Sequence, residues 1–293
     1  MSIETASEEF LISLKRTTQR HQRDVKRCLN EFIEEFKIES IGDIHLNQIE
    51  KLKSTSHLGL LALKRKITHI KHFSKYLAKM SYLDSNPLLY ATPPKGKLKE
   101  KRALEDYEVT LLLEALQKFA PSIYLPMYVI CFSGLRKNEC LTLEWDENID
   151  FNRNVIIVKD KPHILVENEP FYCKWGSERI VPLADSVLNL LKRLKEQSKS
   201  NWVFPNKNGD RISNNINRAF NNARKKSGLN RPEEITPHTL RHTWISQLLR
   251  QGVDLKSVSS MAGHKNLTTT QRYAHLLGGV EKMHMDIAKL PNF

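Results

Sequence analysis

Cysteine is scarce in this chain, with four residues (Cys28, Cys131, Cys140 and Cys173) among 293. Their spacing fits neither a zinc-ligand pattern nor a dense disulfide framework, so reduced thiols in a cytosolic setting are expected. Long apolar runs are also lacking: the longest, Ile123 to Leu135, is too short to cross a bilayer and contains Pro126. The chain begins with polar and acidic residues before Phe10, without the basic-then-apolar design of a secretory signal, which points to a cytoplasmic location. No glycine-rich phosphate loop, no acidic metal cluster and no repeat or low-complexity tract is present. Neither a metal nor another cofactor is therefore expected.

Acidic residues are outnumbered, 33 against 46 Lys and Arg, leaving a net charge of +13. Residues 1–103 hold 20 basic and 12 acidic side chains, so +8 of that excess lies in the first third of the chain. Such a balance makes nucleic acid the leading partner, although basic ribosome-associated and membrane-surface proteins share it. At 40% apolar and 27% charged the composition is that of a folded globular protein, and its length favours two cores.

Helical periodicity is clear in the first third. Val25, Leu29, Phe32, Ile33 and Phe36 recur at helical spacing over Gln19 to Phe36, with Thr17 or Thr18 as N-cap. Arg16, Arg20, Arg23 and Arg27 are spaced by four, three and four, and form a guanidinium stripe suited to phosphates on another face if the helix starts early enough. A second helix is predicted from about Leu58 to Met80, burying Leu60, Leu63, Ile67, Ile70, Phe73 and Leu77, with Lys64, Lys71 and Lys75 on a different face. These seven cations are the candidate DNA-backbone contacts, against the alternative of solvated helix faces. Asn86-Pro87 closes the helical region. Pro93, Pro94 and Gly96 then alternate with Lys95, Lys97, Lys99, Lys101 and Arg102 in a basic linker.

Beyond the linker, helices are predicted at Glu105 to Leu116, Ile123 to Phe132, Ser213 to Lys226, Leu240 to Gln251 and Leu255 to Met261. Short strands are predicted at Val155 to Val158, Phe171 to Cys173 and Arg179 to Pro182, the last two flanking a turn at Lys174 to Ser177. The expected fold class is mainly α with a small antiparallel β-sheet (α+β).

Three segments carry chemistry when taken together: Ser133-Gly-Leu-Arg-Lys-Asn-Glu139, Pro237-His-Thr-Leu-Arg-His242, and Gly263-His264 followed by Thr270-Gln-Arg-Tyr273. With Lys174 between the first two, their order and separation resemble the tyrosine recombinase (phage integrase) family. The resemblance is close over about residues 104–275, and residues 10–95 look like that family's helical core-binding domain.

The residue types suit attack on a phosphodiester. Negative charge grows on the non-bridging oxygens, and fixed cationic donors stabilise it. Arg136 and Arg241 supply such donors, since a guanidinium can bond two oxygens at once and keeps its charge at neutral pH. His238 and Arg241, three apart at a helix start, can converge on one phosphate. Gly263 permits the turn before His264, and the resemblance makes His264 a further phosphate donor. A phenol titrates near ~10, so Tyr273 needs a base or a positive field to act as the nucleophile. The resemblance makes Lys174 the general acid for the leaving 5′ oxygen. Each residue also has an ordinary structural alternative: an ion pair of Arg136 with Glu139, a helix cap for His238, a satisfied core carbonyl for His264. Glu139 is expected to position an arginine, and His242 to pack near the helix start.

The resemblance further implies a 3′-phosphotyrosyl intermediate, a Holliday junction between paired double-stranded DNA sites, a homotetramer on DNA, and no need for ATP or metal. It implies a C-shaped clamp with a core-binding (SAM-like) domain at 1–92, the linker at 93–103 and an integrase-like catalytic domain at 104–275; Leu276, Leu277, Val280, Met283, Ile287 and Leu290 predict an amphipathic helix in the tail at 276–293, expected to dock on a neighbouring protomer. A start near residue 10 leans toward the simple two-domain, Xer-like type, in a nucleoid-associated setting and with accessory DNA-bending proteins or a mobile element as further associations. A type IB topoisomerase and a catalytically silent DNA-binding regulator are the alternatives. Cys140, Met261-Ala262 and Trp175 depart from the family's usual residues without removing a functional atom.

Overall fold

A computed structural model describes residues 1–15, 17–96, 103–173, 176, 178–213, 215–266 and 268–271. The backbone divides into two compact units, Met1–Glu100 and Lys101–Phe293.

The first unit is helical: α1 (Ile3–Ser13), α2 (Gln19–Phe36), α3 (Leu46–Thr55) and α4 (Leu60–Lys79). Side-chain oxygens start the first two helices, Ser2 accepting from the Thr5 N–H and Thr18 from the His21 N–H, which satisfies donors that a helix start otherwise leaves open. The apolar stripes of α2 and α4 meet around Leu29, Phe32, Ile67, Ile70 and Phe73, all at most 1% exposed. Each such side chain contributes about 1.5–3 kcal/mol. Lys66 is buried at the same contact and pairs with Glu31 at 3.2 Å and Glu35 at 3.5 Å, tying α4 to α2. Leu60 is only half-buried, since it opens the helix rather than standing within the stripe.

The second unit contains α5 (Asp106–Phe119), α6 (Pro121–Ser133), α7 (Lys137–Leu141), α8 (Trp145–Asn148), α9 (Asp185–Gln197), α10 (Asn217–Lys225), α11 (Pro237–Arg250), α12 (Leu255–Ala262) and α13 (Thr268–Gln271). Two small antiparallel sheets accompany them. One has the order β1 (Ile149–Asp150), β2 (Val155–Val158), β5 (Arg179–Pro182), with Ile156 opposite Val181. The other pairs β3 (Lys161–Val166) with β4 (Glu169–Phe171). The core runs through Leu112, Leu116, Met127, Ile130, Ile156, Val181, Leu191, Phe220, Leu240 and Val258.

The main α plus small antiparallel sheet architecture agrees with the expectation, but one pairing does not. The two strands expected to flank the turn are not partners: β4 pairs with β3 and β5 pairs with β2. The hairpin is β3–β4, turned by Glu167 and Asn168, both at positive φ (54° and 66°). Primed turns of this kind usually carry Gly. Here Asn takes one of the two left-handed positions, and no glycine advertises the turn.

α6 and α12 both end on a glycine in the left-handed region, Gly134 (φ 65°) and Gly263 (φ 65°). At Gly134 a side chain is excluded twice over: its Cβ would lie 2.1 Å from the ring of Trp244 on α11. That contact seats α11 directly against the end of α6.

Candidate active site

Three chain turns meet at one place in the second unit. Arg136 is the residue just before α7, and the Glu139 carboxylate reaches back to accept its N–H at 2.8 Å. The other Glu139 oxygen accepts from Arg136 Nη1, also at 2.8 Å. Glu139 is therefore the arginine positioner that the sequence suggests. It is 4% exposed, and its carboxyl titrates at about 2, because hydrogen bonds and charge from Arg179 and then Arg136 outweigh the cost of burial.

Arg241 lies one turn into α11, whose first position is Pro237, a residue suited to a helix start. It is 1% exposed. Its Nη1 donates to the Gly134 carbonyl and its Nη2 to the Ala262 carbonyl, while Nε has no hydrogen-bond partner among the described residues. Burial, then repulsion from Arg136, lowers its pKa to about 9, leaving it charged at neutral pH. His238, one turn earlier, remains exposed at the rim. His242 is 7% exposed and meets the His238 ring edge-on, with centroids 4.5 Å apart, so it packs beneath that ring as expected.

The last carbonyls of α12 gather the cations. Met261 O accepts from Arg179 Nε at 2.7 Å, Ala262 O from Arg241, and Gly263 O from Arg136 Nη2 at 2.6 Å. A helix C-terminus leaves such carbonyls open and carries partial negative charge, so guanidiniums are the fitting partners. Gly263 then turns the chain to His264, whose Nδ1 lies 2.7 Å from the Thr270 hydroxyl. Burial, followed by repulsion from Arg241 and Arg136, lowers the His264 pKa to about 4. The ring is neutral at physiological pH. In the tautomer where the Thr270 hydroxyl donates to Nδ1, Nε2 carries the proton and is the donor.

Arg136, His238, Arg241 and His264 line a single cavity of about 520 Å³, together with Lys265, Asn266 and Thr269. Two guanidiniums, a neutral imidazole and an exposed imidazole around one space form a site for a tetrahedral oxyanion. Such preorganised donors need no rearrangement as charge develops. Among the described residues no group of histidine, cysteine or carboxylate side chains is placed to hold a metal ion.

Four of the six predicted catalytic residues are thus brought together. Lys174 and Tyr273 lie outside the described residues, as do Arg16 and the 276–293 tail. Two other lysines near the sheets are engaged elsewhere: Lys161 is buried on the Thr142 carbonyl and Asn148, and Lys159 pairs with Glu147. In the first unit Arg20, Arg23 and Arg27 are exposed on α2. Arg27 pairs with Asp24 at 3.4 Å and Glu31 at 3.9 Å. On α4, Lys75 is exposed, Lys64 is half-buried, and Lys71 donates to the Ala91 carbonyl, which ties that cation to its own chain.

Arg179 was not among the predicted site residues. A signal exists: it stands two residues before the buried Val181 on β5, and alternation puts it on the same, inward face.

Residues 102–278 match the model of the phage integrase family. The chain is 28% identical over 294 residues to the tyrosine recombinase XerD of Staphylococcus saprophyticus, covering 94% of this chain and 95% of that one. It is 30% identical over 242 residues to the tyrosine recombinase XerC of Chlamydia caviae, covering 80% and 71%. Among solved structures, the integrase of transposon Tn1549 in complex with a circular intermediate DNA superposes with a TM-score of 0.80 at 18% identity, covering 99% of this chain and 100% of that one. A lambda integrase tetramer bound to a Holliday junction gives 0.74 at 16% identity, covering 93% and 77%. At such identities the likeness is one of fold.

Proposed function

The chain belongs to the phage integrase family and is a tyrosine site-specific recombinase, an enzyme that breaks and rejoins DNA strands; from that premise we propose how its residues divide the reaction. Arg136, His238, Arg241 and His264 hold the non-bridging oxygens of the scissile phosphate. The hydroxyl oxygen of Tyr273 attacks phosphorus, its proton passing to water, and a Tyr273–phosphate bond forms as the bond to the 5′ oxygen breaks. Lys174 gives its proton to that oxygen. The phosphodiester energy is kept in the 3′-phosphotyrosyl link, so a second 5′-hydroxyl can reverse the step on another duplex without ATP.

One observation carries this assignment: the convergence of the four phosphate-holding residues on one cavity. The details fit the role. The Nε of Arg241, without a partner among the described residues, is a buried donor that a phosphate oxygen would satisfy, and an unsatisfied buried donor otherwise costs about 1–3 kcal/mol. His264, held neutral, donates without bringing a third full charge into a space already occupied by two guanidiniums.

The first unit grips the DNA backbone through Arg20 and Arg23 on α2 and Lys75 on α4. Residues 1–92 act as the core-binding domain, 93–103 as the linker and 104–275 as the catalytic domain. The working assembly is a homotetramer on two paired sites, passing through a four-way junction like the one on which the lambda integrase tetramer was captured.

A nicked suicide duplex, from which the cleaved strand end diffuses away, traps the covalent step. The parent chain is expected to accumulate a protein–DNA adduct. Tyr273→Phe is expected to bind the same duplex and form none. Adducts at the parent rate in that variant would exclude Tyr273 as the nucleophile.

A further inference from the structure

We propose that Arg179 is a positioning residue of the recombinase, neutralising Glu139 so that Arg136 keeps a net positive charge for the scissile phosphate. The proposal rests on the assignment of Arg136 to that phosphate.

Arg179 opens β5, and its side chain is 5% exposed, so it is not placed to meet DNA itself. Its guanidinium grips Glu139 as a fork, Nη1 to Oε1 at 3.0 Å and Nη2 to Oε2 at 2.6 Å. The third donor, Nε, goes to the Met261 carbonyl at 2.7 Å. The same Glu139 carboxylate also accepts the Arg136 backbone N–H and Nη1. One buried carboxylate is thereby shared between two guanidiniums, and the trio carries a net charge of about +1. Without Arg179, Glu139 and Arg136 would sum to zero at the wall of the cavity where the phosphate needs a cation. Full pairing in a site of low dielectric would cancel the field that Arg136 is there to supply.

The second contact of Arg179 serves the same wall. A Cβ on Gly263 would lie 3.0 Å from Arg179 Cδ and 3.0 Å from Nη1, so the arginine stem packs against the turn that delivers His264. On the far side of that turn, the Gly263 carbonyl takes Arg136 Nη2. Arg179 therefore sets the charge of Arg136 and the floor under Gly263 at once.

The test uses the full chain and single-turnover adduct formation on a nicked suicide duplex at saturating protein, with duplex affinity and melting temperature measured on the same samples. R179M is expected to cleave about a hundredfold more slowly, the scale on which one transition-state donor is lost, with affinity changed less than about threefold. The double variant R179M/E139Q is expected to recover at least about tenfold over R179M, because the uncompensated carboxylate is gone. A residue with a purely structural role predicts the opposite order, the double variant being the worse. R179M cleaving at the parent rate, or R179M/E139Q no faster than R179M, overturns the proposal. R179K keeps the charge without the fork and carries the test where R179M does not fold: cleavage within about tenfold of the parent is expected, and a hundredfold loss overturns the proposal. R136Q is run alongside. Full cleavage there refutes the phosphate role of Arg136, a failure separate from that of Arg179.

Discussion

Replacing Gly134 by alanine isolates the contact that seats the helix of Arg241. Gly134 has a φ of 65°, and a left-handed backbone costs an L-residue roughly 1–2 kcal/mol, partly offset by about 0.4–1 kcal/mol of lost freedom in the unfolded chain. That leaves about 1 kcal/mol from the backbone alone. The new Cβ would also lie 2.1, 2.5 and 2.6 Å from three ring carbons of Trp244. Trp244 is 8% exposed, so its ring has little open space to enter, and overpacking of this kind costs about 1–3 kcal/mol more. Gly228 supplies the control, with a φ of 73° and nothing within 4 Å of its would-be Cβ. In thermal melting, Gly228→Ala is expected to lower Tm by about 2–4 °C and Gly134→Ala by about 5–15 °C, taking about 2–4 °C per kcal/mol for a unit of this size. Because the Gly134 carbonyl also receives Arg241, the cleavage rate of Gly134→Ala should fall further than its unfolded fraction explains. Melting of the two variants within about 2 °C of each other would refute the steric argument.

His69 makes the first unit acid-sensitive. Burial and then repulsion from His21 and His72 hold its pKa down to about 4, and neither ring nitrogen has a hydrogen-bond partner among the described residues. Since the folded value lies below the unfolded one, stability is unaffected above about pH 6.5 and falls as pH drops from about 6.5 toward 4, by on the order of 3 kcal/mol. His69→Leu is expected to flatten that slope in pH-dependent melting, and an unchanged slope would rule out His69 as its source. On α2, an arginine that meets phosphate releases counterions, whereas Arg27 is already paired with Asp24 and Glu31. Arg23→Gln should reduce the slope of log affinity against log salt by about 0.9, and Arg27→Gln by clearly less; the reverse order, read by mobility shift across a salt series, would place the phosphate contact at Arg27.

Much of this was legible in the sequence because two kinds of signal are local. The stripes of α2 and α4 are set by side chains three and four apart, and the predicted core residues Leu29, Phe32, Ile67, Ile70 and Phe73 are the buried ones. The motif segments carry their own geometry as well: a residue before a short helix, the first turn of a proline-started helix, and the turn after a glycine cap place Arg136, Arg241 and His264. Sheet pairing is not local, so β4 and β5 read as partners of each other when each pairs with a different strand. The true hairpin hid behind Glu167 and Asn168, which adopt a backbone usually marked by glycine. Helices α1, α3, α7, α8, α9 and α13 are additional to the predicted ones. α9 was discernible, with Val187, Leu188 and Leu191 buried on one face. Arg179 was the hardest to see, since a lone arginine at a strand start reads as surface until its partners, 40 and 82 residues away, are known.

The three carbonyls that close α12 have a consequence for how this enzyme can diversify. Each accepts from a different arginine; the carbonyls of Met261 and Ala262 are offset by the helical step of about 1.5 Å and about 100°, and that of Gly263 is set by its left-handed backbone. The helix thus works as a measuring rod whose graduations are peptide groups, indifferent to side chains. Adding or deleting a single residue within it would hand every arginine the wrong carbonyl and swing His264 out of the cavity. The length of α12 is thus as much a part of the site as its buried face, Val258 and Ala262.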